Sequence, residues 1–382
     1  GTSATTFEPD GPVEASEAIC SMVNMINCTR LAEARGGYPV GYWTMAAERK
    51  LLNNTNLQMN TNISRDQLYI LLYNTIHADM LVYDGVGDGL KFSIQEGRTI
   101  LTENHGIYYV EGIITADNET AFTGAPATKA GSFRMGDMTF TSSTGLGQGK
   151  VGRKVTVYYK DPNMDYFEAV ALYEEDNVEV TLTPSSITNF DYANGVYEVE
   201  DGSKQTKFRI GKDYYLVYNG EAIDGSDQTL MLPESGHITL IDNNGDGIYD
   251  VVFVYEYYNL IFGRYDQYTN ELKDKLGDTE KNVDLDQYET ITTNVEDFSS
   301  LADPSILTVY KSRGGTSVRI LHCAQMVQGE VSAVYEDSTM VYTINGNDYR
   351  ASSAPRYQTD GVSVGQRYTF YLDTYGTVAY TE

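Results

Sequence analysis

The spacing of apolar residues divides the chain into two regimes. Up to residue 82 they recur at helical intervals. Ala15, Ala18, Ile19, Met22, Val23 and Ile26 form one stripe behind Pro12. A second candidate helix carries Trp43, Ala46, Ala47 and Leu51 on one side and stops at Asn53-Asn54. Ser64-Arg65-Asp66-Gln67 opens a third, because Ser64 can accept the Gln67 amide N–H while Gln67 reaches back to form a capping box. Leu68, Leu71, Leu72 and Ile76 then supply its apolar stripe. From residue 83 the period drops to two, in short runs broken by Gly, Asn and Asp. The expected class is α+β, mainly β: an N-terminal helical module followed by several small antiparallel β-barrel or β-roll modules.

Within the β regime a pattern occurs twice. Gly112-Ile113-Ile114-Thr115-Ala116 matches Gly329-Glu330-Val331-Ser332-Ala333, and residues 151–159 match 364–372. Val170-Ala171 then corresponds to Val378-Ala379. Alternation places Val155 and Val157 on one strand face, with Thr156 and Tyr158 on the other. Expected boundaries are 1–82 for the helical module, 83–175 and 327–382 for the two β copies, and 176–326 for a central β module. Tyr83–Gly89 reads as a glycine-rich linker, and the polar run Asp266–Asp286 as a long exposed excursion.

The central module holds the stretch with the clearest chemistry, Ile238–Tyr255. Two apolar runs flank a loop that puts Asp242, Asn244, Asp246 and Asp250 at positions 1, 3, 5 and 9. Oxygen side chains at alternating positions can converge on one hard cation, and Gly247 at position 6 permits the sharp turn this needs. Ile248 at position 7 would add its backbone carbonyl. An EF-hand would place Glu at position 12, whereas Phe253 stands there inside an apparent strand. The pattern predicts a Ca²⁺ staple across a β-hairpin. The alternative is a metal-free acidic turn, since Asn-Gly and Asp-Gly form turns unaided.

Composition supports an extracellular reading. The 382 residues carry 27 basic against 54 acidic side chains, a formal charge of −27. Such a surface repels nucleic acid and suits a cation-rich medium. Tyr is used 32 times against 12 for Phe, as expected for half-buried strands and wet interfaces. Cys20, Cys28 and Cys323 imply no disulfide framework: on one helix, Cys20 and Cys28 would lie about 12 Å apart. No apolar run reaches membrane-spanning length, so no membrane insertion is expected. The chain opens Gly1-Thr2-Ser3 without Met, which points to a processed product or an excised segment.

A reaction centre finds no support in the residue pattern. His77, His105, His237 and His322 are scattered, and there is no His-Glu-x-x-His, Cys-x-x-Cys or Gly-x-Ser-x-Gly arrangement. His322 and Cys323 are neighbours, but adjacent strand residues point to opposite faces. Gly145–Lys150 lacks phosphate-loop spacing and precedes a strand.

The helical stretch resembles S-layer homology modules, which hold bacterial surface proteins on the cell wall. The residues that carry the resemblance are Phe7–Val13, Gly37-Tyr38-Pro39-Val40-Gly41-Tyr42, and Ile63–Gln67 with Leu71-Leu72-Tyr73-Asn74. In that family a Thr-Arg-Ala-Glu-like segment starts a helix, and its Arg helps bind an anionic wall polysaccharide. The resemblance implies that role for Arg65. Glu14-Ala15-Ser16-Glu17 takes the earlier equivalent position with neither the Ser cap nor the Arg. The β region is also similar to segments downstream of such modules in large surface proteins of Gram-positive bacteria.

Together these readings lead to an expectation: a non-enzymatic, S-layer-like structural protein of the bacterial cell surface or wall, stabilised by Ca²⁺. It would self-associate into a lattice, with wall polysaccharide as a further partner. The alternatives are a carbohydrate-binding or glycan-processing module on a wall anchor, with Tyr255-Glu256-Tyr257-Tyr258 stacking sugars, or a subunit of an extracellular filament or tube.

Overall fold

The computed structural model describes residues 11–84, 91–122, 128–160, 167–201, 204–223, 227–337, 339–352 and 361–382. The chain forms two compact units, residues 1–110 with 157–171 and residues 111–156 with 172–382. Among the described residues no helix is long and apolar enough to cross a membrane.

Helices α1 (Ala15–Met25), α2 (Thr29–Ala34), α3 (Val40–Glu48) and α4 (Arg65–His77) build the N-terminal core. All six residues of the first stripe are buried, Ile26 at the cap of α1 included. In α3 the core face is Tyr42, Met45 and Ala46, while Ala47 points outward, so the expected face is rotated. Gly41 sets that rotation. A Cβ there would stand 2.1 Å from the Ala32 carbonyl oxygen, so only glycine lets α3 approach α2 this closely. The α4 capping box forms as expected: the Gln67 N–H donates to Ser64 Oγ at 3.3 Å, and Ser64 N–H to Gln67 Oε1 at 3.0 Å. At α1 the cap was expected to be missing, yet Glu17 still accepts the Glu14 N–H at 3.3 Å. A carboxylate at this position also complements the helix dipole.

Strands β1 (Leu81–Asp84) and β2 (Lys91–Ile94) pair, and α5 (Ile100–His105) follows. The linker reading of Tyr83–Gly89 falls, from Gly85 on, outside the described residues. Then β3 (Ile107–Ala116), β4 (Ser132–Met135), β5 (Met138–Thr141), β6 (Lys154–Lys160) and β7 (Phe167–Glu174) close a barrel in the order β3-β4-β5-β7-β6. Both faces of β6 are buried from Val155 to Tyr158, the Thr156 and Tyr158 face as well as that of Val155 and Val157.

Residues 178–255 form a seven-stranded sheet from β8 (Val178–Leu182), β9 (Ile187–Asp191), β10 (Val196–Asp201), β11 (Lys204–Tyr218), β12 (Glu221–Ile223), β13 (His237–Asp242) and β14 (Ile248–Tyr255). The order is β8-β13-β14-β11-β10-β9, with β12 on β11. A six-stranded sheet follows: β15 (Tyr258–Asp266), β16 (Glu271–Asp274), β17 (Val283–Asp284), β18 (Thr290–Thr293), β19 (Ser305–Lys311) and β20 (Ser317–Cys323), ordered β17-β16-β15-β19-β20-β18. Two pairings, β11 with β14 and β18 with β20, are parallel, so the central module is mixed where antiparallel strands alone were expected. Asp266–Asp286 is also no exposed excursion. It contributes β16 and β17, and it buries Leu272, Val283 and Leu285. Three apolar residues spaced among many charges give no visible period.

The last sheet comprises β21 (Met326–Asp337), β22 (Thr339–Ile344), β23 (Asn347–Arg350), β24 (Arg367–Leu372) and β25 (Val378–Thr381), ordered β23-β22-β21-β24-β25. In both copies of the repeat the first strand lies between the second and fourth. The third meets the fifth: β5 with β7, and the end of β23 with β25 through an Ala351–Val378 bridge. The matched residues make the same backbone bonds. Ile114 N–H donates to the Arg153 carbonyl and Gly152 N–H to the Ile114 carbonyl, as Val331 does to Gln366 and Gly365 to Val331. The third match slips, because Val170 is exposed while Val378 is fully buried; Ala169 takes the inward place on β7.

Candidate metal centre

The acidic loop joins β13 and β14, which pair antiparallel as the hairpin reading expected, with Ile238 opposite Val254 and Ile241 opposite Val251. Both strands are flanked on each side, β13 by β8 and β14 by β11, so the loop projects from the middle of a sheet. Gly245 and Gly247 have φ of +77° and +81°, and the turn needs both. The metal spacing named only Gly247, whereas the Asn-Gly and Asp-Gly turn reading took in both. A Cβ at either would meet nothing within 4 Å, so their role is conformational rather than steric.

Asp242, at 2% exposure, organises the loop. Its Oδ1 accepts the N–H groups of Asn244 (3.1 Å) and Gly245 (2.7 Å), and its Oδ2 that of Gly247 (2.9 Å). Asn244 Oδ1 accepts the Asp246 N–H at 2.9 Å, and Asp246 Oδ1 the Ile248 N–H at 2.8 Å. Across the mouth, Asp250 Oδ2 accepts the Asn243 N–H at 3.1 Å. Each side chain thus bends the backbone towards the next acceptor. Ile248 opens β14 opposite Arg209 of β11.

These carboxylates sense one another. Asp250 is held above the usual carboxylate range, first by burial and then by the charges of Asp242 and Asp246. Its hydrogen bond from Asn243 opposes the shift. A carboxylate has about four lone-pair sites, and here none accepts more than three N–H groups, so acceptor capacity remains. The donor set is oxygen only, which fits Ca²⁺ rather than a softer metal. Among the described residues, no three His, Cys, Asp or Glu side chains gather as a metal cluster. Asp242, Asp246 and Asp250 thus do not stand as one gathered ligand set. An ion bound there would need their oxygens to converge with Asn244 Oδ1 and the Ile248 carbonyl, and would supply positive charge to neutralise them.

Asn243 had no place in the spacing rule. It is buried, and its Nδ2 donates to the Gly152 carbonyl at 3.0 Å. The loop is thereby pinned to the glycine that sets the first repeat. Its only sequence signal was a polar residue at an even loop position, which the metal pattern leaves unexplained.

Arg65 lies elsewhere, in the first turn of α4, with its side chain exposed. A cation there is opposed by the helix dipole, so its placement brings α4 no stability. The tyrosine run is not a surface platform. Tyr257 is buried and donates to Asp373, Tyr258 sits beneath Lys311 and donates to the Lys281 carbonyl, and Tyr255 stacks on His237. Glu256 accepts the Tyr218 hydroxyl and the Glu234 N–H. The three cysteines are free, and burial raises the Cys28 thiol pKa.

No protein-family model matches the chain. It is similar to a protein described as a cell surface protein from Thermoanaerobacter kivui, 21% identical over 359 residues. The match takes in 91% of this chain and 41% of the relative, so the chain spans about two fifths of that protein's length. The chain is a distant relative of a bacterial cell-surface protein. That likeness extends across the helical and β regions alike. It adds nothing on the S-layer homology resemblance or on calcium.

Proposed function

We propose that this chain is a structural segment of a bacterial cell-surface protein, without a reaction centre, whose central sheet is braced by Ca²⁺ at the Asp242–Asp250 hairpin. The observation that carries this reading is the oxygen-only loop between two central, buried strands. An ion there would offset the mutual repulsion of three carboxylates and fix the β13–β14 register. The distant cell-surface relative supports the location, and the acidic surface suits a medium where divalent ions screen self-repulsion. Self-association into an S-layer-like array belongs to the same reading, with Arg65 as a contact to anionic wall polysaccharide. Tyr257 is buried and Tyr258 half-buried, which counts against the tyrosine run as a sugar-stacking platform.

Sedimentation velocity and negative-stain imaging in millimolar calcium test the assembly part. Ordered arrays or filaments, or reversible oligomers that dissociate in EDTA, are expected. A strict monomer at every concentration, with and without calcium, would remove assembly from the function.

A further inference from the structure

We propose that the outer edge of β18 is a self-pairing edge that joins two copies of this chain. The proposal rests on the assembly reading above and names its contact.

Strand β18 ends the six-stranded sheet and pairs on one side only, parallel to β20. The Thr290 N–H donates to the Thr316 carbonyl at 3.2 Å, which settles the phase of the ladder. In a parallel pair alternate residues bond inward. Thr290 and Thr292 therefore face β20, and the N–H and C=O groups of Ile291 and Thr293 point to the open side. Among the described residues no other strand or backbone group meets them.

Apart from its four-residue length, the usual protections of an edge are missing here. Thr290-Ile291-Thr292-Thr293 has no charge, proline or glycine, is wholly β-branched, and leaves Ile291 39% exposed. The other sheet ends differ. Strands β8, β9 and β23 carry Glu179, Asp191, and Asp348 with Arg350; β17 has two residues; β25 is bridged to Ala351.

The same strand of a second copy is the occupant whose geometry closes. Antiparallel pairing about a two-fold axis at Thr292 sets Ile291 opposite Thr293 of the other copy, and the reverse. All four outward groups on each strand are then bonded, as an isologous contact requires. Charge agrees with this choice. Two chains at −27 repel, and this neutral strip lets them approach. In that register Glu289 and Glu296 fall opposite Val295 and Tyr288, so the flanking acids do not face each other. Four hydrogen bonds over four residues make a weak contact, suited to a reversible array and strengthened by added salt.

Cross-linking tests the register. At a two-fold non-hydrogen-bonded pair the Thr292 Cα atoms would lie about 4.5 Å apart, within disulfide reach. Thr292→Cys under mild oxidation in millimolar calcium should yield a covalent dimer, with a 292–292 bridge found by peptide mapping. Thr290→Cys, offset along the strand, should give at least ten-fold less. Ile291→Lys should weaken self-association by at least ten-fold while the melting temperature holds. If the wild type associates but Ile291→Lys associates equally and Thr292→Cys does not bridge, the edge is wrong and assembly stands. If the wild type never associates, both fall.

Discussion

Two acidic loops in the central region use the same residues to different ends. In the β13–β14 loop, Asp242 spends both oxygens on three loop N–H groups, and burial together with the charges of Asp242 and Asp246 raises the pKa of Asp250. After β16, Asp274 is also buried. Its Oδ2 accepts the Leu276 and Asp278 N–H groups at 2.9 and 3.1 Å, and its own N–H donates to Asn282 Oδ1. Its Oδ1 is buried and, among the described residues, has no hydrogen-bond partner. Both loops show carboxylates acting as backbone caps before any question of metal arises. Asp278, Glu280 and Asn282 alternate in the second loop as well. What sets the first apart is that Asp242, Asn244, Asp246 and Asp250 all accept N–H groups of one hairpin turn.

Substitution should separate the two loops. Asp242→Ala removes three charge-assisted bonds from a buried turn and should cost about 3–4 kcal/mol in urea unfolding in EDTA, and more in calcium, where the ion's contribution is lost as well. Asp274→Ala loses two such bonds but also relieves an unpartnered buried oxygen, so about 1–2 kcal/mol is expected. An equal cost at both sites would mean that Asp242 does not organise its loop. The smallest effect is a change of sign. Because the folded-state pKa of Asp250 is raised, the metal-free fold binds more protons than the unfolded chain there. Its contribution to stability falls as pH rises from the unfolded carboxylate value through the raised one. Asp250→Asn should therefore flatten that decline and slightly stabilise the protein in EDTA, yet destabilise it in calcium. Thermal melts between pH 3 and 7 in both conditions would show it; a loss in both would mean that Asp250 acts only through its bond to Asn243.

Much of this architecture was readable wherever one face of an element is buried and the other wet. The stripe from Ala15 to Ile26 and the Ser64–Gln67 cap emerged as expected, because helical period and capping chemistry are local. The duplicated β pattern was visible for a related reason. Gly152 and Gly365, with φ of +87° and +82°, mark the same turn in both copies. What stayed hidden depends on partners distant in sequence. Ala47 turned outward because Gly41 must meet Ala32, a contact that periodicity does not encode. Parallel pairing of β11 with β14 leaves no mark in the sequence. Strand β14 is buried on both faces from Val251 to Val254 and loses alternation there. Strand β11 stays largely exposed from Lys204 to Arg209 and reads like any edge or antiparallel strand. Asp266–Asp286 read as exposed because its few apolar anchors are outnumbered by charges that cap turns. At the site, alternating oxygens revealed the loop, whereas Asn243 answers to Gly152, 91 residues earlier.

The claim that most needs testing is that Ca²⁺ braces the β13–β14 hairpin. Scanning calorimetry of the wild type and Asp246→Ala, first in EDTA and then across a calcium titration, addresses it directly. At calcium about 100-fold above Kd the wild type should gain about 2.7 kcal/mol. That is a rise in Tm of about 5 °C or more. Asp246→Ala should keep a similar Tm in EDTA and lose most of the rise. A wild-type Tm that calcium leaves unchanged, or an equal rise in Asp246→Ala, would contradict the account.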